Sequence, residues 1–203
     1  MRRSSTPDNP ANHELLIKDG GARALREAQN GLKQFDEVLR MIWQSGSKFS
    51  LSPDMLRRLN FLAVEGIWSD AGEYRTFGVE ITDTPHQPPH SDQVPSLVRM
   101  MCDFANAIDD AFELSAYLMW RLNWIHPFGD GNGRTSRAIS YFALSVKLGM
   151  VLPGSPTIPE QIVQERGPYY HALDAADLAW SQGQVDVSEM SSLIQRLLQE
   201  QLS

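Results

Sequence analysis

Residues 117–149 read YLMWRLNWIHPFGDGNGRTSRAISYFALSVKLG. Both flanks are apolar at helical spacing, and the ten residues from His126 to Thr135 hold three glycines, a histidine, an aspartate, an asparagine and an arginine. This pattern predicts a helix entering a glycine-rich loop, then a second helix from about Thr135 to Leu148 with Gly149 as its stop. Upstream, helical spacing predicts helices over Val94–Ala107 and Asp110–Trp124. The stretch from Ser69 to Pro95, SDAGEYRTFGVEITDTPHQPPHSDQVP, breaks that spacing. Its short alternation at Phe77, Val79 and Ile81 predicts a strand or small hairpin, with PHQPPH as an exposed loop. Further upstream, Leu25, Leu32, Phe35, Val38, Leu39 and Ile42 predict an apolar face on a helix from about Gly21 to Trp43. A second helix, with Ser52 or Asp54 as its cap, carries Met55, Leu56, Leu59, Leu62, Ala63 and Ile67. Downstream of the loop VLPGSPTIPE, helices are expected over Pro159–Gln182 and Ser188–Leu202. Residues 1 to about 12 are polar, contain two prolines and are expected to fray. There is no repeat and no βαβ alternation, so the expected class is all-α with one small β element.

Composition narrows the function. The 203 residues are 42% apolar and 21% charged, which excludes a mainly disordered chain. Eighteen Lys and Arg against 25 Asp and Glu give a net charge of −7, which argues against nucleic acid as the main partner. The single cysteine, Cys102, excludes an internal disulfide and lies in the apolar run VRMMCDF, where a buried thiol is expected. The start lacks the apolar segment of a signal peptide, and no stretch is long and apolar enough to span a bilayer. The expectation is a cytoplasmic protein with no membrane partner.

The segment from His126 to Arg137 concentrates chemistry. Glycines let successive backbone N–H groups converge, and a loop that opens a helix aims them at an anion. Arg134 supplies a forked charge for phosphate, and Arg137 follows three residues later on the same helical face. Asp130 supplies a hard oxygen suited to Mg²⁺ carried on phosphates. His126 is the one group in the segment able to accept a proton near neutral pH. Each has an ordinary alternative: a hydrogen-bonded core histidine, or a tight Asp-Gly-Asn-Gly turn. A calcium loop fails, because Arg134 stands where a third oxygen ligand belongs and no Glu closes the loop. The patterns GxxxxGK[ST] and HExxH are absent. Base, metal ligand, anion cradle and charge clamp together describe transfer from a nucleotide.

His126 through Arg137 resembles the Fic (Fic/Doc) family signature HPFx[DE]GNGRxxR at every fixed position. AGEYR, FGVEI and PHQPP resemble the segment that precedes and forms the family's β-hairpin flap, and RGPYYHAL resembles a later family helix. The resemblance covers roughly residues 51 to 180. It implies an all-α Fic-like domain with a β-hairpin flap at about Thr76–Pro88 that aligns a target segment by strand-like pairing. It divides the chain into an N-terminal tail and helix, residues 1–50, packing on the core, and a catalytic domain with C-terminal helices, residues 51–203. Typical members are protein adenylyltransferases, moving AMP from ATP to a hydroxyl side chain of a target protein with release of pyrophosphate. By that resemblance His126 is the base and Asp130 holds Mg²⁺. Gly131, Asn132 and Gly133 form the anion hole, the Asn132 side chain also touching phosphate. Arg134 and Arg137 serve the β/γ end, while Phe128 pins the loop. Other readings are a Fic-type transferase using another nucleotide or phosphodiester donor, and a nucleotide-binding regulatory module.

Many relatives carry an inhibitory helix reading [ST]xxxE[GN], and no Glu here completes that pattern. The resemblance therefore implies either a separate small antitoxin-like chain or a divergent N-terminal helix, with Glu27 as candidate. Trp120, Trp124, Tyr117 and Met119 are expected in the core, and Tyr169 and Tyr170 in the core or beside the base. His86 and His90 fit a loop better than a metal site, while His13 and His171 have no evident partner. Target, acceptor and oligomeric state, including a homo-oligomer, stay open at this point.

Overall fold

The computed structural model of the chain describes residues 12–46, 48–81, 84 and 86–203; the expected frayed start lies, apart from Asn12, outside them. Eight α-helices are present among the described residues: α1 (Gly20–Ser45), α2 (Pro53–Val64), α3 (Val94–Ala105), α4 (Ala111–Ile125), α5 (Asn132–Leu148), α6 (Ile158–Gln164), α7 (Gly167–Ser181) and α8 (Ser188–Leu202). The centre is α4. Asp110 caps it, accepting the Phe112 and Glu113 N–H groups at 2.9 and 2.8 Å. Every residue from Leu114 to Leu122 is buried, so this helix is enclosed on all sides rather than amphipathic. Helix α5 runs antiparallel to it, tied by Ser115 to Ser140 (2.6 Å) at one end and Asn123 to Ser136 (2.8 Å) at the other. Gly149 ends α5 in the left-handed region at φ 73°, as its position in the sequence predicts. Helices α3, α7 and α8 pack on α4, while α1 and α2 pack on α5.

Three expectations are corrected. Helix α1 buries Asn30, Gln34, Val38, Met41 and Ile42, while Leu25 and Leu32 are exposed. Its inward face is turned because Asn30 and Gln34 dock it on α2, donating to the Glu65 and Leu59 carbonyls at 2.9 and 2.8 Å. The helix expected over Pro159–Gln182 is two helices, α6 and α7. Pro168 lacks an N–H and starts α7 in its first turn, and Thr157 with Glu160 forms a capping box for α6.

The β-hairpin is the third correction. No strand is present among the described residues, and Phe77–Ile81 is extended loop; Thr82, Asp83 and Pro85 lie outside the description. Prolines 88 and 89 remove ladder donors, and the buried guanidinium of Arg75 takes the place of a ladder by bonding Phe77 and Pro89 carbonyls at the loop's two ends. Isolated antiparallel bridges join Leu15 to Trp68 and Tyr74 to Phe128. Cys102 is buried as expected, its thiol pushed up to about 12 by loss of solvent. No helix of the described residues is long and apolar enough to cross a membrane.

Candidate active site

The loop between α4 and α5 is held from inside. Phe128 is fully buried in the core. The Asn132 side chain closes a ring on it, Oδ1 accepting the Phe128 N–H at 3.0 Å and Nδ2 donating to its carbonyl at 2.9 Å. Asn132 is therefore turned inward, and its expected side-chain contact to phosphate is replaced by a structural one. Gly131 caps α5 at φ 81°, and a Cβ there would meet Val64 and Asn60 at 2.8 and 2.9 Å. Only glycine satisfies both demands. Asn60 also donates to the Asp130 carbonyl at 2.8 Å and accepts from Gly72 N–H at 3.0 Å, a buried anchor that helical spacing alone does not reveal. Beyond this frame lie the first backbone N–H groups of α5, which have no intrahelical acceptor and point the positive helix end outward.

His126 closes α4 in the left-handed region, φ 50° and ψ 59°, the one non-glycine residue at positive φ among the described residues. Its Nδ1 lies 3.3 Å from the Asn123 carbonyl, which makes Nδ1 the donor and leaves Nε2 as a free acceptor. Burial pushes the imidazole down to about 4; the Asn123 contact opposes this, Arg75 and His86 add to it, and Asp130 opposes it. The ring is thus neutral, and a proton acceptor, throughout the neutral range.

Asp130 stands at the mouth of the loop. Its Oδ1 accepts the Gly131 N–H at 2.6 Å, and its Oδ2 accepts from the Trp68 indole at 2.8 Å and from Arg134 at 3.0 Å. Arg134 also donates to the Ala63 carbonyl at 3.0 Å. Trp68 is stacked on His13 at 4.2 Å, and His13 is held by Asp70 at 2.8 Å. The His13 ring lies so close to Gly129 that a Cβ there would approach it to 2.5 Å. Residues 12–16 therefore form a strap on residues 67–69, bonded by Leu16 to Ile67 and Ser69 to Glu14. Contacts made across more than fifty residues leave no mark in local spacing, which is why Trp68 and the partner of His13 escape sequence reading.

Two cavities flank His126 and share part of their walls. One, of 290 Å³, is lined by the loop from Gly129 to Arg134, by Arg137 and by Arg166, Tyr169 and Tyr170. The other, of 260 Å³, is bounded by His126, Gly133, Arg137, Tyr169 and Tyr170 on the side they share, and by Trp120, Trp124, His86, Asp174 and Asp177 on the far side. Burial lowers the Arg137 pKa. Arg166, the residue immediately before α7, joins Arg134 and Arg137 as a third cation. His86, expected only in a loop, sits against the Trp124 carbonyl at 2.8 Å, while Trp120 donates to Asp177 at 2.7 Å. The tryptophans expected in the core thus also wall a cavity. Tyr169 is buried, and Asn123 donates to its hydroxyl at 2.8 Å. His171, without an evident partner in the sequence, pairs with Glu189 at 2.9 Å. Among the described residues no group of three His, Cys, Asp or Glu forms a metal cage. A single exposed carboxylate beside free N–H donors fits an ion such as Mg²⁺ that shares its ligands with phosphates.

Residues 50–144 match the model of the Fic/DOC family. The match spans just under half of the chain. Protein adenylyltransferase fic-1 of Caenorhabditis briggsae is 33% identical over 111 residues, 54% of this chain and 20% of that protein. The chain therefore spans about a fifth of the length of that relative. A Fic family protein from Desulfovibrio desulfuricans G20 has the same fold, with a TM-score of 0.69 at 22% identity, over 92% of this chain and 55% of that one. BepC of Bartonella tribocorum, solved with bound AMPPNP, gives 0.58 at 14% identity over 89% and 88%. The matched span covers α2 to most of α5; the His13 strap and the Arg166 wall lie outside it.

Proposed function

We propose that this chain transfers AMP from Mg²⁺-ATP to a hydroxyl side chain of a target protein, releasing pyrophosphate. One observation carries the reading: a neutral imidazole with a free Nε2 lies between a cation-rich cavity over a helix N-terminus and an aromatic cavity. The triphosphate occupies the first, over the N–H groups of Asn132 and Gly133, with Arg134, Arg137 and Arg166 about its outer charges. The base occupies the second, beside Trp124 and Tyr170, where Asp174 and Asp177 offer acceptors to its exocyclic amine. Asp130 would hold Mg²⁺, which supplies charge neutralisation at the α- and β-phosphates.

The chain's own part in the chemistry is proton transfer and positioning. His126 Nε2 takes the proton of the target hydroxyl as that oxygen bonds to the α-phosphorus. The bond from phosphorus to the bridging oxygen breaks, and pyrophosphate leaves with both electrons. Arg134, paired with Asp130 at 3.0 Å, stands beside the residue that would hold the ion and within the same cavity as the phosphates. Cytoplasmic location belongs to the same reading. The target is a protein with an accessible Tyr, Thr or Ser.

Inhibition fits a separate chain better than α1. Glu27 makes no ion pair with Arg134 or Arg137 among the described residues. A 500 Å³ groove between α1, α5 and α6 runs from Leu32, Phe35 and Val163 to those two arginines. A helix of a small antitoxin-like chain, with one carboxylate at its end, matches apolar walls and a cationic floor.

The test is intact mass of the purified chain after incubation with Mg²⁺-ATP, wild type beside His126→Ala. Adducts of one adenylyl group each are expected in the wild type, with the rate falling on the order of 10²–10⁴-fold in the variant. An adduct of another mass would move the donor to another nucleotide or phosphodiester. Nucleotide binding without any adduct, with supplied cellular protein also unmodified, would leave the binding-module reading.

A further inference from the structure

AGEYR stands out in the sequence, yet the transfer chemistry assigns no role to its last residue, Arg75. Arg75 is 2% exposed, so its charge is withdrawn from water. Burial of that kind lowers its pKa and demands a full set of hydrogen-bond acceptors. No carboxylate answers among the described residues. Backbone carbonyls do instead. Nε donates to the His126 carbonyl at 2.7 Å, and Nη1 to that of Phe77 at 2.9 Å. Nη2 donates to Pro89 at 2.5 Å and, more weakly, to Ile125 at 3.4 Å. The Arg75 N–H adds a bond to the Pro127 carbonyl at 2.9 Å.

The choice of acceptors is informative. Phe77 and Pro89 are the two ends of the loop that crosses the His126 cavity through Ile81, Thr84 and His86. Ile125, His126 and Pro127 are the point where α4 ends and the chain turns left-handed. A planar fork with fixed N–H directions can join these two sites at a defined angle, which an ammonium on a flexible stem cannot do. A leucine here would leave these carbonyls without a donor, so the site calls for a side chain that offers several N–H groups in one plane.

We propose that Arg75 is a positioning residue for the transfer reaction, its guanidinium locking the left-handed turn at His126 and both ends of the 77–89 loop into one rigid frame. His126 and the loop that lines the cavity beside it then keep a fixed relation in every turnover. The proposal rests on the AMP-transfer reading for its catalytic consequence, but not for the frame itself.

Hydrogen exchange reads the frame without requiring activity. In Arg75→Lys, which keeps the charge and loses the fork, peptides covering 76–90 and 123–128 should both exchange at least tenfold faster than in the wild type. Increased exchange in 76–90 alone, with 123–128 as protected as before, would overturn the coupling; wild-type exchange in both would overturn any need for the fork.

A second arm follows the His126 ring by NMR titration, assigned by comparison with His126→Ala. The charged groups facing that ring are Arg75 from the loop base, His86 from the loop, and Asp130 from the helix-opening turn. Arg75→Met should move its titration upward from about 4, and Arg75→Lys should leave it near its wild-type position. An unmoved titration in a folded Arg75→Met would count against the contact; if that variant does not fold, the Lys variant decides through exchange. Binding of a non-hydrolysable ATP analogue should stay within about threefold in Arg75→Lys, while the adduct rate falls at least tenfold. If the wild type binds no nucleotide, the AMP-transfer reading fails while the exchange result still decides the frame.

Discussion

His126 combines a strained backbone with a depressed basicity, and both follow from its place at the last turn of α4. The left-handed conformation turns its carbonyl to Arg75 and lets Nδ1 reach Asn123, so the ring presents Nε2 to the cavities. Burial withholds solvent from the protonated form and takes the ring to about 4. The sign follows directly. Above that value the folded ring is neutral and able to accept a proton, so the adduct rate should be flat from neutral pH down toward 4 and fall only below it. An unburied histidine would lose activity below about 6.5. Linkage runs in the same direction: the unfolded chain takes up the proton first, so the stability contributed by the neutral ring is complete above about 6.5 and lost as pH falls toward 4. A pH–rate profile at saturating nucleotide checks this, and an acidic limb centred near 6.5 would mean that His126 is solvated during the reaction.

Helices were legible in the sequence to the extent that local signals made them. The span of α8 and the Gly149 stop of α5 rest on neighbouring residues and stand as expected, and α4 begins next to Asp110, where the spacing put its start. So does Gly131, which opens α5 at positive φ; Gly129 is instead required by the His13 ring packed against it. What escaped was set at long range. Helix α1 has two apolar faces, and spacing alone favoured the one carrying Leu25 and Leu32. The face that is buried was decided by Asn30 and Gln34, polar residues whose value depends on carbonyls at the end of α2 some thirty positions away. In the same way Asn60, Trp68 and Arg75 belong to the site through contacts with the His126–Asp130 segment, more than fifty residues on. Asn30 offers the sharpest check. Its Nδ2 serves the Glu65 carbonyl at 2.9 Å and that of Ala63 at 3.4 Å, beside the Ala63 contact of Arg134. Asn30→Ala leaves these acceptors short of a donor and should cost about 1–3 kcal/mol, measured by urea unfolding. A loss under a few tenths of a kcal/mol would mean that apolar contacts alone seat α1.

Across the whole molecule the site draws on residues from His13 to Asp177, and α8 contributes none of them. Its role is closure. Met190 and Ile194 pack into the central core, and at its far end Gln201 is buried against the loop that follows α5. Gln201 Oε1 accepts the Ile158 N–H at 2.9 Å, while Nε2 donates to the carbonyls of Pro153 at 3.0 Å and Leu152 at 3.2 Å. One side chain thus fixes where α6 begins, and α6 leads directly to Arg166 and α7. Helix α7 has its own moorings on α4, through Tyr169 to Asn123 and Asp177 to Trp120. Stability and site geometry should therefore separate in Gln201→Ala. The Ile158 N–H and the Pro153 carbonyl lose their side-chain partner, and the Leu152 carbonyl keeps only Tyr141, which should cost about 1–3 kcal/mol and lower Tm by roughly 3–9 °C in a domain of this size. The affinity for an ATP analogue should change by less than about threefold, because the cavity walls on α4 and α7 stay moored. Thermal unfolding and calorimetric titration on the same preparation test both halves. A tenfold or greater loss of affinity at a small drop in Tm would show instead that α8 governs the site through α6.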